Sequence, residues 1–168
     1  MLFIIDMQND FVDNEKGVLA VPNAAKIVPK IIEEIHRQEE KGEPIYYTIN
    51  QHDLENDHRS DEEKKWGMAL FGPLEAALKE HKGINKKFHS ISPEDAEELR
   101  NAYKDDPDRV IEFVGVETNV CVLSNAIMLH NSFPLATIRV LEDLCIGTTE
   151  ELHKETLDVM KSLKIEIN

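Results

Sequence analysis

At 168 residues the chain has the length of one domain and is cramped for two. A chain of this size buries roughly 70% of its unfolded surface, so it needs neither a disulfide nor a metal to fold. With 19 Lys and Arg against 33 Asp and Glu, a net charge of −14 and no basic patch argue against nucleic-acid binding by phosphate neutralisation and against an anionic membrane surface.

The apolar runs are only a handful of residues long, too short for a transmembrane helix. Leu2 to Ile5 is likewise too short for a signal peptide, has no basic region before it and is ended by Asp6. Two cysteines, Cys121 and Cys145, make no secreted disulfide framework, so a reducing cytoplasm is the expected compartment.

In chain order, Leu2 to Ile5 reads as a first strand. Ile27, Val28, Ile31, Ile32 and Ile35 share one face at helical spacing. Asn23 is placed to cap that helix, Pro29 confines its start to near Lys26, and Gly42 stops it. Residues 44–49 (PIYYTI) are a second strand by β-branched and aromatic content. Residues 50–72 are polar and irregular, which in a compact domain marks a functional loop or a solvated acidic excursion. A short helix is expected after Pro73, and a third strand over residues 84–88.

Ser92 and Pro93 open a helix with Ala96, Leu99 and Tyr103 inward. Residues 109–114 form a fourth strand, residues 118–130 a mostly apolar helix and residues 135–141 a fifth strand. Thr149 starts a last helix with Leu152, Leu157, Met160 and Leu163 inward, and residues 164–167 close the sheet. This alternation predicts one α/β domain over residues 1–168: a doubly wound, six-stranded parallel sheet with helices on both faces, in three α/β/α layers. Ligands of such sheets bind beyond the carboxyl ends of the strands.

Reactive residues mark three of these strands: Asp6 comes directly after the first, Lys86 and Lys87 come at the third, and Cys121 starts the helix that follows the fourth. Cysteine is often only a small buried hydrophobe. At the start of a helix, however, orphan N–H groups favour thiolate and can hold an oxyanion. Asp6 reads either as a turn carboxylate or as a base for the thiol. A lysine between them would stabilise the thiolate and favour the charged carboxylate. Cys145, well past its strand, reads as structural.

Four segments carry a resemblance. Asp6-Met7-Gln8-Asn9-Asp10-Phe11 is similar to the D-x-Q-x-D-F opening of the isochorismatase-like cysteine hydrolases, which include nicotinamidases. Lys86-Lys87-Phe88-His89-Ser90 resembles their K-x-x-Y-S segment, with His89 where tyrosine is common, and so singles out Lys86 over Lys87. Gly115-Val116-Glu117-Thr118-Asn119-Val120-Cys121-Val122 resembles their G-V-x-T-x-x-C-V nucleophile turn. Glu142-Asp143-Leu144-Cys145 resembles an E-D-A-C stretch after the fifth strand.

The resemblance implies that Asp6 deprotonates Cys121 and that the thiolate attacks a small-molecule amide. It implies an oxyanion held by the backbone N–H groups of Glu117 and Cys121, a cis peptide between Val116 and Glu117, and release of ammonia through a thioester. It also implies a homodimer or homotetramer, for which the apolar helix 118–130 and the run Met68-Ala69-Leu70-Phe71 offer surface. Gln8, Phe11 and Trp66 are the expected substrate neighbours, the aromatic pair as a wall or, for Trp66, as an anchor of its loop.

The chain departs from nicotinamidases where they carry a D-x-H metal-ligand set after the second strand. Here the residues are Asn50-Gln51-His52, and the later W-P-P-H-type segment is Trp66-Gly67-Met68-Ala69. An amide coordinates more weakly than a carboxylate. The expectation is therefore a metal-free member with its loop histidines in solvent. Zinc at His52, aided by His58, Asp57, Asp61, Glu62 or Glu63, is the alternative. Because the nicotinamide ring nitrogen ligates that metal in the family, nicotinamide is a doubtful substrate.

A vinyl-ether hydrolase acting on isochorismate is a competing reading, against which Cys121 argues. A non-catalytic member of the fold is another, against which the joint presence of Asp6, Lys86 and Cys121 argues. An aspartyl phosphotransferase would want an acid where Gln8 stands.

Overall fold

The structure is a computed structural model and describes residues 1–55 and 57–168. Six strands, β1 Leu2–Ile5, β2 Ile45–Asn50, β3 Lys82–Lys86, β4 Val110–Val116, β5 Thr137–Ile146 and β6 Glu166–Ile167, pair in the order β3-β2-β1-β4-β5-β6. Every pairing is parallel. The helices are α1 Asn9–Val12, α2 Val28–Glu40, α3 Asp61–Met68, α4 Leu74–Ala77, α5 Pro93–Ala102, α6 Leu123–Ser132 and α7 Glu150–Ser162. This is the doubly wound α/β architecture expected from the alternation of runs. No helix among the described residues is long and apolar enough to cross a membrane.

Strand β1 shows why the sheet must be covered on both faces. Its four residues are all buried, as a central strand of a parallel sheet requires. Successive side chains alternate between the faces: Phe3 and Ile5 enter one core cluster, Leu2 and Ile4 the other. Phe3 stacks between Tyr46 of β2 and Phe113 of β4, with centroids 5.2 and 5.5 Å away.

Several boundaries differ from the sequence reading, each for a physical reason. Residues 50–72 are not irregular throughout. Ser60 and Glu63 form a capping box, each side chain bonding the other's backbone N–H, and start α3. Strand β3 begins and ends two residues earlier than expected. Strand β5 runs on to Ile146 because its register against β4 shifts between Phe113 and Gly115, so Cys145 lies inside the strand rather than past it.

The segment after β4 opens with a wide turn, Val122 N–H donating to Glu117 C=O at 3.0 Å, before α6 becomes regular. Asn23 has positive φ and makes no side-chain cap. On α7, Leu157 and Met160 are buried, while Leu152 and Leu163 are exposed; Thr156 takes an inward position instead.

The strand order reverses between β1 and β4, and this is where ligands bind in open α/β sheets. The two strands lie close there because Gly115, at φ +115°, has no side chain. A Cβ at Gly115 would collide with the backbone of Ile5, whose nitrogen would be 2.8 Å away. Gly115→Ala therefore combines a disallowed φ with overpacking and is expected to cost at least about 2 kcal/mol. Urea unfolding measures it, and wild-type stability in the variant would refute the account.

Candidate active site

Asp6 is the first residue past β1, Cys121 lies in the wide turn past β4, and Lys86 ends β3, two strands away from β1. The pairings of Ile5 with Gly115 and of Asn50 with Lys86 set these tips level. Asp6 itself sits at φ +50°, a left-handed conformation uncommon outside glycine that Asp tolerates better than most residues. It turns the chain off the strand as soon as the sheet ends.

The three side chains meet below the surface. Lys86 Nζ lies 2.7 Å from Asp6 Oδ2, and both side chains are 0% exposed. The same ammonium donates to Phe88 C=O at 2.9 Å and to Cys121 Sγ at 3.4 Å. Lys87, next in sequence, is exposed. Asp6 Oδ1 accepts from Thr48 Oγ1 at 2.6 Å, and Thr48 Oγ1 in turn accepts the Asp6 backbone N–H at 3.1 Å. Asp6 Oδ2 is buried, and the Lys86 ammonium is its charge partner.

Burial, and then the Asp6 charge, push the Cys121 thiol up to about 12, against the lowering effect of Lys86. This corrects the expectation of a thiolate favoured by helix N–H groups. The sulfur is dry and has a carboxylate as well as an ammonium for a neighbour, so it rests as the thiol. Cys145 is also held up by burial, with its Sγ 3.6 Å from Phe113 C=O, in keeping with a structural place.

The peptide between Val116 and Glu117 is cis. Glu117 is half-buried, and its carbonyl accepts the N–H groups of Val120 and Val122 at 3.1 and 3.0 Å.

Two positioning residues escaped the sequence reading. One is Thr48, whose signal was a hydroxyl on a strand otherwise rich in apolar and aromatic residues. The other is Asn125, fully buried on α6 one turn after the cysteine. Its Nδ2 donates to Cys121 C=O at 2.7 Å and His89 C=O at 3.0 Å, and its Oδ1 accepts from Ile91 N–H at 2.9 Å. It fastens the loop after Lys86 to the turn carrying the sulfur. A buried amide inside an apolar helix was its legible sign.

The expected substrate neighbours are placed differently. Gln8 is fully buried, and its Nε2 donates to Asn50 C=O and Met68 C=O, each at 3.0 Å. Its Oε1 accepts Asn50 N–H at 2.8 Å. Both of its donors are engaged, so it braces the end of β2 against the end of α3. Phe11 is 5% exposed and packs in the core, edge-on to His52 with centroids 5.5 Å apart. Trp66 is partly exposed and lines a groove with Lys16, Arg59, Glu62 and Glu63. Its carbonyl accepts Asn9 Nδ2 at 2.8 Å, which anchors α3.

His52 does not face solvent as expected; its side chain is 8% exposed, with Nε2 2.8 Å from Asp10 Oδ2. His58 does. Among the described residues no group of three His, Cys, Asp or Glu is arranged to hold a metal ion.

Comparison with known proteins places the chain in a family. The fold matches the zinc-bound pyrazinamidase of Pyrococcus horikoshii at 25% identity and TM-score 0.77, covering 99% of this chain and 97% of that one. It matches the nicotinamidase of Bacillus subtilis at 20% identity and TM-score 0.78, covering 99% and 97%. It matches the yeast nicotinamidase Pnc1p at 17% identity and TM-score 0.79, again covering 99% and 97%. No curated relative matches by sequence. The family model of the isochorismatase domain matches residues 1–167, and the chain thus belongs to the isochorismatase family.

Proposed function

We propose that the protein is a cysteine hydrolase that cleaves the C–N bond of a small-molecule amide through a thioester, releasing ammonia. The observation that carries this reading is the buried Asp6–Lys86–Cys121 cluster, in which one ammonium touches both the carboxylate and the sulfur. The fold shared with pyrazinamidases and nicotinamidases supports it.

In this reading Asp6 Oδ2 takes the Sγ proton of Cys121 as the sulfur attacks the amide carbon, so the thiolate arises within the reaction rather than before it. The Lys86 ammonium, in contact with both groups, stabilises the negative charge as it passes from oxygen to sulfur. The oxyanion of the tetrahedral intermediate is held by the backbone N–H groups of Glu117 and Cys121. Collapse breaks the C–N bond, and the proton held on Asp6 leaves with the nitrogen as ammonia. Water then attacks the thioester, Asp6 taking a proton from it. The carboxylic acid departs and Cys121 regains its proton.

Ammonia release from a panel of primary amides tests the reading. Cys121→Ala is expected to abolish release by any substrate the wild type accepts while leaving the circular dichroism spectrum unchanged. Retained hydrolysis in that variant would refute cysteine dependence.

The charge neighbours make a further prediction with opposite signs. Asp6 raises the Cys121 thiol, so Asp6→Asn is expected to lower its pKa. Lys86 lowers it, so Lys86→Met is expected to raise it. Asp6→Asn thus carries more thiolate at a given pH yet hydrolyses about 10²–10⁴-fold more slowly for want of a base. Ultraviolet titration of the thiolate, paired with the ammonia assay, reads both effects; a thiol pKa raised by Asp6→Asn would contradict the assignment.

A further inference from the structure

A second buried charged cluster lies beside the first, and the hydrolytic reading does not use it. Its centre is Asp10, on α1 four residues past Asp6, with a side chain 0% exposed. A carboxylate this deep needs a cation. Arg59 supplies it: Nη1 lies 2.8 and 3.0 Å from the two Asp10 oxygens. The rest of the guanidinium is engaged with Asp57, Nε at 3.1 and 3.2 Å and Nη2 at 2.9 Å. Arg59 thereby holds Asp57 well below the usual carboxylate range, at about 2.

His52 closes the cluster, with Nε2 on Asp10 and Nδ1 3.2 Å from Asn50 C=O. Behind Asp10 stands Gly67 of α3, where any Cβ would overlap the carboxylate.

A zinc ion is bound in the Pyrococcus pyrazinamidase structure, and the residues of this cluster do not fit one. Both ring nitrogens of His52 face oxygen acceptors, so neither turns a free lone pair outward. The two carboxylates are separated by the guanidinium that bridges them. A divalent ion brought against Asp10 would meet a permanent positive charge at contact distance. Asn50 contributes its backbone, not its side chain, through the bonds to Gln8.

We propose that Arg59 is the resident cation of this cluster, neutralising Asp10 and pinning the segment after β2 to α1, and that the chain takes up no metal among Asp10, His52 and Asp57. The proposal stands apart from the hydrolytic reading, because its test uses neither substrate nor activity.

The protein is purified from zinc-supplemented cells and desalted. Its zinc content is then measured by elemental analysis, and its melting temperature with and without added zinc and dipicolinate. The expected result is no stoichiometric zinc and no shift with either reagent. Arg59→Ala, which leaves the buried Asp10 without its permanent counter-charge and with only His52 against it, is expected to melt lower by roughly 6–15 °C, and Arg59→Lys, lacking the two-sided fork, by an intermediate amount.

One zinc per wild-type chain, lost on His52→Ala, would overturn the proposal. So would an Arg59→Ala protein that melts with the wild type. Should Arg59→Ala not fold, the wild-type zinc content decides alone.

Discussion

The arrangement rests on one ion pair. Asp6 and Lys86 are 80 residues apart in the chain, yet their charged atoms lie 2.7 Å apart with no exposure to water. Either charge alone in that place would be strongly unfavourable, and a buried pair contributes little net stability even when intact. The pair therefore reads as a feature kept for what it does to its neighbour, the Cys121 sulfur 3.4 Å from the same ammonium. Everything around it holds the two charges and the sulfur in reach of one another.

Those supports come from the sheet and from single polar side chains. Gly115 lets β4 approach β1 at the point where the strand order reverses. Thr48, on the strand between β1 and β3, bonds both the backbone and the carboxylate of Asp6. Asn125 ties the loop beyond Lys86 to the turn of Cys121. The two hydrophobic clusters on the opposite faces of the sheet fix the strands to which these groups are attached. Precision in the site is inherited from rigid elements, and only its last turn comes from loop.

The acidic segment after β2 belongs to the same logic. Left to itself, a polar stretch with one arginine among several acids would stay in solvent. Here it folds down because Asp10, buried beside the site, needs a counter-charge, and Arg59 provides one in a geometry that also satisfies Asp57. Helix α3 then follows, packed so closely that Gly67 cannot carry a side chain, and Gln8 links its end to the end of β2. Two neighbouring clusters thus handle charge differently: one shares its ammonium between a carboxylate and a sulfur, the other divides its guanidinium between two carboxylates.

The amino-acid sequence by itself determined the α/β class, the parallel sheet and the places of Asp6, of Lys86 or Lys87, and of Cys121 relative to the strands; the family resemblance, not strand position, chose Lys86 over Lys87. Hydrophobic period, caps and punctuation are local and leave local marks. The capping box of Ser60 and Glu63 was equally legible, though it lay unread inside an acidic stretch. Only the tertiary structure decided the rest.

Whether Cys121 rests as thiol or thiolate depends on its burial and on a carboxylate from another strand. Gln8 became a brace because Asn50 and Met68 present backbone groups to it. Leu152 and Leu163 fell outside because they share a flank rotated away from the stripe that buries Leu157 and Met160. Strand β5 extended past its expected end because its register with β4 shifts. Arg59 found Asp10 across 49 residues. Each of these is a pairing between groups distant in the chain, and in such pairings the energy belongs to the contact, which no single stretch of sequence contains.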